Sequence, residues 1–415
     1  MEIILHEDRC TVRNLPEHVL MALNSENLLR SDQEKLDFCG LVMRKNRADV
    51  FLPRNSGQDA HNEPQKNSAS LIQAIHKYTL NRDRSSYTDG SSEKIVGDSF
   101  LALAFTLLND YIEHGVYVRR ISDIRKNMGK TDWKRTITRI QCYPSNGSLI
   151  YLDTLGKKKI TYYDDEVTRI HAEVIRELER LIGWVFFDKN SNISSELATI
   201  RQPSEDSKTK IEILVKELGN LYADREMKLM MDLIAYLSRE TVSTDSSIVI
   251  GISRFHSMWE HMIHSCMIWQ FDVNTRLAKP CYKINGEYQI ATQKGGRTDT
   301  VLRSPDKTIF GIIDAKYYGA ENLINLPGWP DLIKQFFYAL ALNDIYPAAT
   351  VYNWFIFPGS IATVESAHLM SPIKQSLQDH KYTPIQCAFL EPMNLINCYI
   401  SGKKLIDLAE KILHM

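Results

Sequence analysis

The fold of this chain turns on Arg297–Tyr318, which reads RTDTVLRSPDKTIFGIIDAKYY. Thr298–Arg303 and Thr308–Tyr318 are rich in β-branched and aromatic residues, and Ser304-Pro305-Asp306-Lys307 between them is turn chemistry. The stretch therefore predicts an antiparallel hairpin. Asp314 and Lys316 are two apart on its second strand, so both project from one face. A turn at Ser304–Lys307 would pair Arg303 with Thr308 and set Asp299 opposite about Ile312, one or two positions from Asp314. Two carboxylates and a lysine are expected to converge. Asp306 is a poorer partner: at roughly 3.3 Å per residue it lies about 25 Å along the strand from Asp314, too far to share an ion.

Such a cluster suits phosphodiester hydrolysis, which needs an activated water, charge neutralisation at phosphorus and help for the leaving oxygen. A hard divalent cation supplies all three and prefers carboxylate oxygens with several waters retained. A neighbouring lysine orients or deprotonates water and stabilises the charged transition state. Alone, Asp314 and Lys316 would equally be a surface ion pair on an edge strand.

Asp299, followed by Asp314-Ala315-Lys316 on the next strand, resembles the PD-(D/E)xK nuclease signature, with Thr298-Asp299 where the family name has Pro-Asp. The wording RTD…IIDAKYY is similar to nuclease subunits of the LlaJI and McrC type. Upstream, Phe255-His256-Ser257-Met258-Trp259-Glu260 resembles the helix that brings an extra glutamate in that family. Downstream, Asp331–Tyr338 resembles its Lys-Gln-x-x-Tyr helix. The resemblance implies Asp299, Asp314, Lys316, Glu260 and Gln335 as catalytic residues. It implies Asp299, Asp314, the Ala315 carbonyl and Glu260 around Mg2+, with Mn2+ as a substitute, and Tyr338 holding the helix or a phosphate. It also implies double-stranded DNA as substrate, an McrB-like AAA+ GTPase partner, and a homodimer or paired complexes for double-strand cutting.

The chain has 415 residues, 44% hydrophobic and 24% charged, with a net charge of −1. That length predicts an α/β multi-domain protein and a sizeable core. Net charge excludes neither DNA nor other partners, since a nuclease needs only a local basic groove. Cys10, Cys39, Cys142, Cys266, Cys281, Cys387 and Cys398 are scattered and form no Cys-x-x-Cys pair. This argues against a zinc ribbon or a disulfide framework and fits a reducing cytoplasm. No leader-like N-terminus and no membrane-length apolar run are seen, so neither secretion nor membrane insertion is expected.

Four parts are expected: 1–115, a β-rich and helical N-terminal module; 116–166, a basic winged-helix-like segment; 167–242, a helical connector; and 243–415, a PD-(D/E)xK nuclease domain with a mixed sheet. In the first, Met1–Leu5, Phe38–Met43 and Val50–Pro53 read as strands, Ser56–Ser68 as a loop, and Leu71–Leu80 and Asp98–His114 as helices. In the second, Ser122–Met128 reads as a helix, Gly129-Lys130 as a turn, and Thr131 or Asp132 as the cap of a second helix. A hairpin, LIYLD-TLGKK-KITYYD, follows. Lys134, Arg135 and Arg139 on that second helix are candidate DNA contacts. Thr168–Phe187, Ile211–Tyr222 and Glu226–Leu237 read as connector helices around a polar loop, Asn190–Ser207. In the nuclease part, helix Arg254–Trp269 carries a core stripe of Phe255, Trp259, Met262 and Cys266. Its His256 and His261 are five apart and cannot share a face, which excludes a His-x-x-Glu-His protease centre. Helix Asp331–Leu342, strands Val351–Pro358 and Pro384–Leu390, and helix Lys403–His414 complete it.

Three functional readings follow. The first is a magnesium-dependent endonuclease subunit of a restriction system working with a GTPase, because the chain has no Gly-x-x-x-x-Gly-Lys-Ser/Thr loop of its own. The second is a self-sufficient type II restriction endonuclease. The third is a non-catalytic DNA-binding or scaffold protein on a nuclease fold.

Overall fold

A computed structural model describes residues 2–30, 33–44, 46–57, 61–84, 93–186, 197–203, 206–239, 247–291 and 295–415. The chain forms two compact units, one of residues 1–98 with 243–415 and the other of residues 99–242.

The first unit holds two five-stranded sheets. In one, Glu2–Glu7 runs parallel to Arg47–Leu52, which pairs antiparallel with Cys39–Arg44. Ile248–Ile252 then pairs antiparallel with Cys39–Arg44 on one side and Ile95–Val96 on the other. That distant strand docks through two glycines facing each other, Gly40 and Gly251. A Cβ on Gly251 would stand 2.4 Å from the Phe38 ring, and one on Gly40, where φ is +149°, would stand 2.2 Å from the Ile250 carbonyl. Only bare backbone lets Phe38 fold over this seam.

The other sheet has the order Thr300–Arg303, Ile309–Ala315, Thr350–Pro358, Ile385–Leu390, Ser366–Ala367. Its outer pairs are antiparallel and its two inner pairs parallel, so it is mixed. The inner strands are nearly continuous apolar runs because both their faces are covered. Phe310, Ile312 and Val351 pack against Tyr338, Ala339 and Leu342 of helix Trp329–Ile345. On the opposite face Gly311 lies against Ile412 of helix Ile406–Leu413. Alternation along Ile309–Ala315 therefore sends even-numbered side chains toward helix Trp329–Ile345. Odd-numbered Tyr317, just beyond the strand, goes the other way and meets the rings of Phe255 and Trp259.

Most expected helices form, several with longer bounds. Pro64–Arg84 extends into the stretch expected as a loop, and Asp98–His114, His256–Cys266 and Trp329–Ile345 appear where expected. Pro392–Ser401 is an additional helix, capped by Glu391, before Ile406–Leu413. Half of the expected polar loop Asn190–Ser207 lies outside the described residues.

The second unit corrects one reading. Arg119–Lys126 is not a helix but a strand, paired along its length with Leu155–Tyr162, so no helix-turn-helix forms at Ser122–Met128. The expected hairpin also divides: Ser148–Ile150 pairs with Tyr143–Ser145, while Leu155–Tyr162 joins Arg119–Lys126 and Lys130–Thr131. Helix Trp133–Arg139 does form, with the Asp132 carboxylate accepting from the Arg135 N–H at 3.2 Å. Helices Glu166–Phe186, Ser207–Leu218 and Asp224–Ser238 follow.

Candidate active site

The acidic hairpin forms, but with a longer turn than expected. Arg303 pairs with Phe310 rather than Thr308. The reason is Asp306, whose carboxylate accepts from the Thr308 N–H at 3.1 Å, the Thr308 hydroxyl at 2.7 Å and the Ser304 hydroxyl. Lys307 takes φ +66° to complete this loop. The register shifts by two, which keeps each side chain on its face. Thr300 now pairs with Ile313, and one step further Asp299 stands beside Asp314. The turn acid thus has a structural role, and the two acids of the cluster come closer than the sequence predicted.

Asp299 Oδ2 accepts the Ala315 N–H at 3.0 Å, which ties the edge of one strand to the end of the next. Asp314 is only 4% exposed. Burial pushes the Asp299 carboxyl well above the usual carboxylate range, and the charges of Asp314 and Glu260 push it the same way. Part of Asp299 nevertheless stays open to solvent. The Asp314 Oδ2 atom is buried without a well-aligned hydrogen bond, although Lys316 Nζ lies 2.7 Å away.

Lys316 Nζ bridges two acids, Asp314 at 2.7 Å and Asp331 at 2.6 Å. Burial alone would lower its pKa, but these two carboxylates outweigh burial and hold the ammonium above the usual lysine range. Lys334 Nζ stands 4.0 Å from Asp314 Oδ1. For Lys334 too, the charges of Asp314 and Asp299 overcome burial and raise the pKa. Asp331 and Lys334 are three apart on helix Trp329–Ile345, on the edge facing the even side of the strand. The sequence reading met Lys334 only as the lysine of the Lys-Gln-x-x-Tyr helix and gave neither it nor Asp331 a role, although their spacing beside Gln335 and Tyr338 is the available signal.

Gln335 is 1% exposed, and its Nε2 reaches the carbonyls of Trp354 at 3.3 Å and Ile312 at 3.5 Å. It ties the helix to the sheet. The Tyr338 hydroxyl donates to the Arg297 carbonyl at 2.7 Å and accepts the Arg297 N–H at 2.8 Å. It therefore holds the backbone just ahead of Asp299. Asn274 completes that grip: its Oδ1 accepts the Thr298 N–H at 2.8 Å and the Thr298 hydroxyl at 2.9 Å, and its Nδ2 donates to the Thr298 carbonyl at 3.2 Å. A proline at 298 could not donate that N–H, which explains the departure from Pro-Asp. Nothing in the sequence marks Asn274.

Glu260 comes from helix His256–Cys266, close enough for its charge to act on Asp299. On the same helix His261 packs between the rings of Tyr78 and Tyr399, while His264 bonds the Thr300 hydroxyl at 3.0 Å. Among the described residues no three His, Cys, Asp or Glu side chains gather closely enough to hold an ion by themselves. The set here is two adjoining carboxylates, one buried against Lys316 and one destabilised by like charge. Such a pair could hold a hard divalent cation that keeps most of its waters.

Lys134 and Arg139 are exposed on helix Trp133–Arg139, and half-buried Arg135 has Nε 3.7 Å from Asp132. Trp133 and Ile137 share that helix's exposed surface.

The family model for the LlaJI restriction endonuclease matches residues 38–369. The BsuMI component YdjA of Bacillus subtilis, a type II restriction enzyme component, is 23% identical over 372 residues, covering 83% of this chain and 77% of the relative. Among solved structures, a half-complex of Thermococcus gammatolerans McrB AAA+ hexamers with bound McrC aligns over 98% of this chain and 100% of that chain, at 11% identity and TM-score 0.41. The cryo-EM structure of the Thermococcus gammatolerans McrBC complex aligns over 62% of this chain and 84% of that chain, at 12% identity and TM-score 0.27. No helix among the described residues is long and apolar enough to cross a membrane.

Proposed function

Because this chain belongs to the LlaJI restriction endonuclease family, we propose that it is the cleavage subunit of a restriction system, a magnesium-dependent endonuclease acting on double-stranded DNA. The observation that carries this reading is the buried contact of Asp299 with Asp314, with Lys316 against the latter. Two adjoining buried acids are costly unless a cation repays them.

Asp299 and Asp314 would hold the ion, with the Ala315 carbonyl as a third oxygen and Glu260 for a second ion or an ordered water. When bound, Mg2+, or Mn2+ in its place, lowers the pKa of water and neutralises charge at phosphorus. Without a metal ion, Asp314 and Asp331 favour the ammonium form of Lys316. Its part would be to orient or deprotonate the attacking water and to stabilise charge at the phosphate. Gln335 and Tyr338 act as positioning residues, fixing the helix on the sheet and the backbone before Asp299. Lys134, Arg135 and Arg139 would contact DNA phosphates.

The chain has no P-loop, so nucleotide-driven movement along DNA would come from an McrB-like AAA+ GTPase. Cutting both strands would take two copies of the active site. The word "component" in the name of the Bacillus relative supports a multi-subunit reading over a stand-alone enzyme.

Purified protein incubated with duplex DNA and magnesium, with and without the GTPase partner, tests this. Cleavage that disappears in both Asp314→Ala and Lys316→Ala, with folding intact, is the expected result. Retained cutting by both variants would remove the assignment. Discrete fragments without any partner would favour the stand-alone enzyme. Unchanged DNA affinity on replacing Lys134 and Arg135 by alanine would discard the basic-helix contact.

A further inference from the structure

Beside the acidic cluster lies a separate cavity of about 410 Å³, far larger than the roughly 30 Å³ share of one water. Its wall includes Lys35 and Arg54 from the N-terminal part of the unit, Tyr318 and Gly319 beyond the acidic strand, and Gly328 and Asp331 at the start of helix Trp329–Ile345. Asp331 connects it to the active site, being 2.6 Å from Lys316 Nζ.

Three features make this cavity attractive to an anion. Arg54 borders the cavity, and its Nε is buried with no hydrogen-bond partner. A Cβ on Gly319 would stand 2.8 Å from Arg54 Nη2, so the bare glycine leaves room for the guanidinium. Gly328, the N-cap of a 17-residue helix, borders the cavity, so the positive end of that helix lies there, although Pro330 carries no N–H and the Asp331 and Leu332 N–H groups bond the Gly328 carbonyl. The acid in the wall, Asp331, is already engaged by Lys316 and by the Tyr318 hydroxyl at 3.3 Å. Glu321 approaches Gly319 as well, but it is exposed and can turn to solvent.

Arg54 is also held in place. Its backbone N–H donates to the Tyr317 hydroxyl at 3.0 Å, and Tyr317 directly follows Lys316. The end of strand Arg47–Leu52 is thus anchored to the end of the strand that carries the acids.

We propose that this cavity binds a backbone phosphate of the DNA next to the one being cut, with the Arg54 guanidinium as the principal contact and Lys35 in support. The N-terminal sheet thereby supplies part of the substrate site. This inference rests on the endonuclease reading above. An arginine suits the task because its planar fork matches two phosphate oxygens.

The test is duplex binding by the full chain, followed by fluorescence anisotropy with calcium in place of magnesium, across a salt series. Arg54→Ala is expected to weaken binding roughly tenfold, the size of one charge-assisted hydrogen bond. It should also lower the slope of log affinity against log salt by about 0.9, the signature of one lost phosphate contact. Arg54→Lys should keep the slope. Gly319→Ala, which keeps every charge but crowds the guanidinium, should weaken binding in the same direction and guards against misfolding of Arg54→Ala. An unchanged slope in Arg54→Ala, with wild-type binding intact, would overturn the phosphate site and leave the endonuclease reading standing. Wild-type protein that fails to bind duplex at low salt would overturn both.

Discussion

Replacing Asp299 by asparagine should make the protein more stable without a divalent cation and inactive with one. At about 4 Å and an effective dielectric near 20, two carboxylates repel by about 4 kcal/mol. Lys316, 2.7 Å from Asp314, and Lys334, 4.0 Å from it, offset much of that repulsion. Because the raised Asp299 carboxyl also relieves repulsion by keeping a proton part of the time, a gain of only about 1–2 kcal/mol is expected for the neutral side chain. Asparagine can still accept the Ala315 N–H that Asp299 Oδ2 accepts at 3.0 Å, so the strand ends stay tied. With cation at ten times its dissociation constant, the wild type regains about 1.4 kcal/mol through binding, and the variant regains little. Urea denaturation of both proteins, in chelator and in calcium, measures all four stabilities, and DNA cleavage in magnesium completes the comparison. A variant less stable than wild type in chelator, or a cation that stabilises both proteins equally, would refute the reasoning.

Lys316→Met keeps the length of the side chain and removes the charge; calorimetry should show calcium binding retained or tightened while cleavage in magnesium is lost. Asp331→Asn leaves Lys316 with one carboxylate instead of two, and cleavage should fall about 10–100-fold, as is usual when a supporting partner is removed. Burial raises the Asp8 carboxyl to about 6, so between the ordinary carboxylate value and that point the unfolded chain is ionised while the folded one keeps its proton. The folded state then binds more protons, and stability should fall as pH rises through that window, by up to about 3 kcal/mol, and level off above it. Denaturation midpoints of Asp8→Asn across the same range should lack this slope.

The placement of Asp314 and Lys316 on one face follows from the two-residue period of a strand, a local property that residue order alone determines. The core stripe Phe255, Trp259, Met262 and Cys266 is equally local, since helical spacing selects the buried face, and all four are buried. Strand length likewise decides for Asp299 over Asp306, since an acid in the turn lies about 25 Å along the strand from Asp314 at roughly 3.3 Å per residue. Residue order could not set the register, because that depends on how the Asp306 carboxylate closes the turn, and two residues of loop decide whether Asp299 stands opposite Ile312 or opposite Asp314. Arg119–Lys126 is rich in residues that favour helices, yet pairing with Leu155–Tyr162 overrides that preference, and such pairing is invisible until the chain has folded. The grip of Asn274 on Thr298, the bridge from Lys316 to Asp331 and the docking of Ile248–Ile252 onto Cys39–Arg44 join residues distant in sequence. Only the tertiary structure decides them, because each rests on packing between elements rather than on the preference of any one.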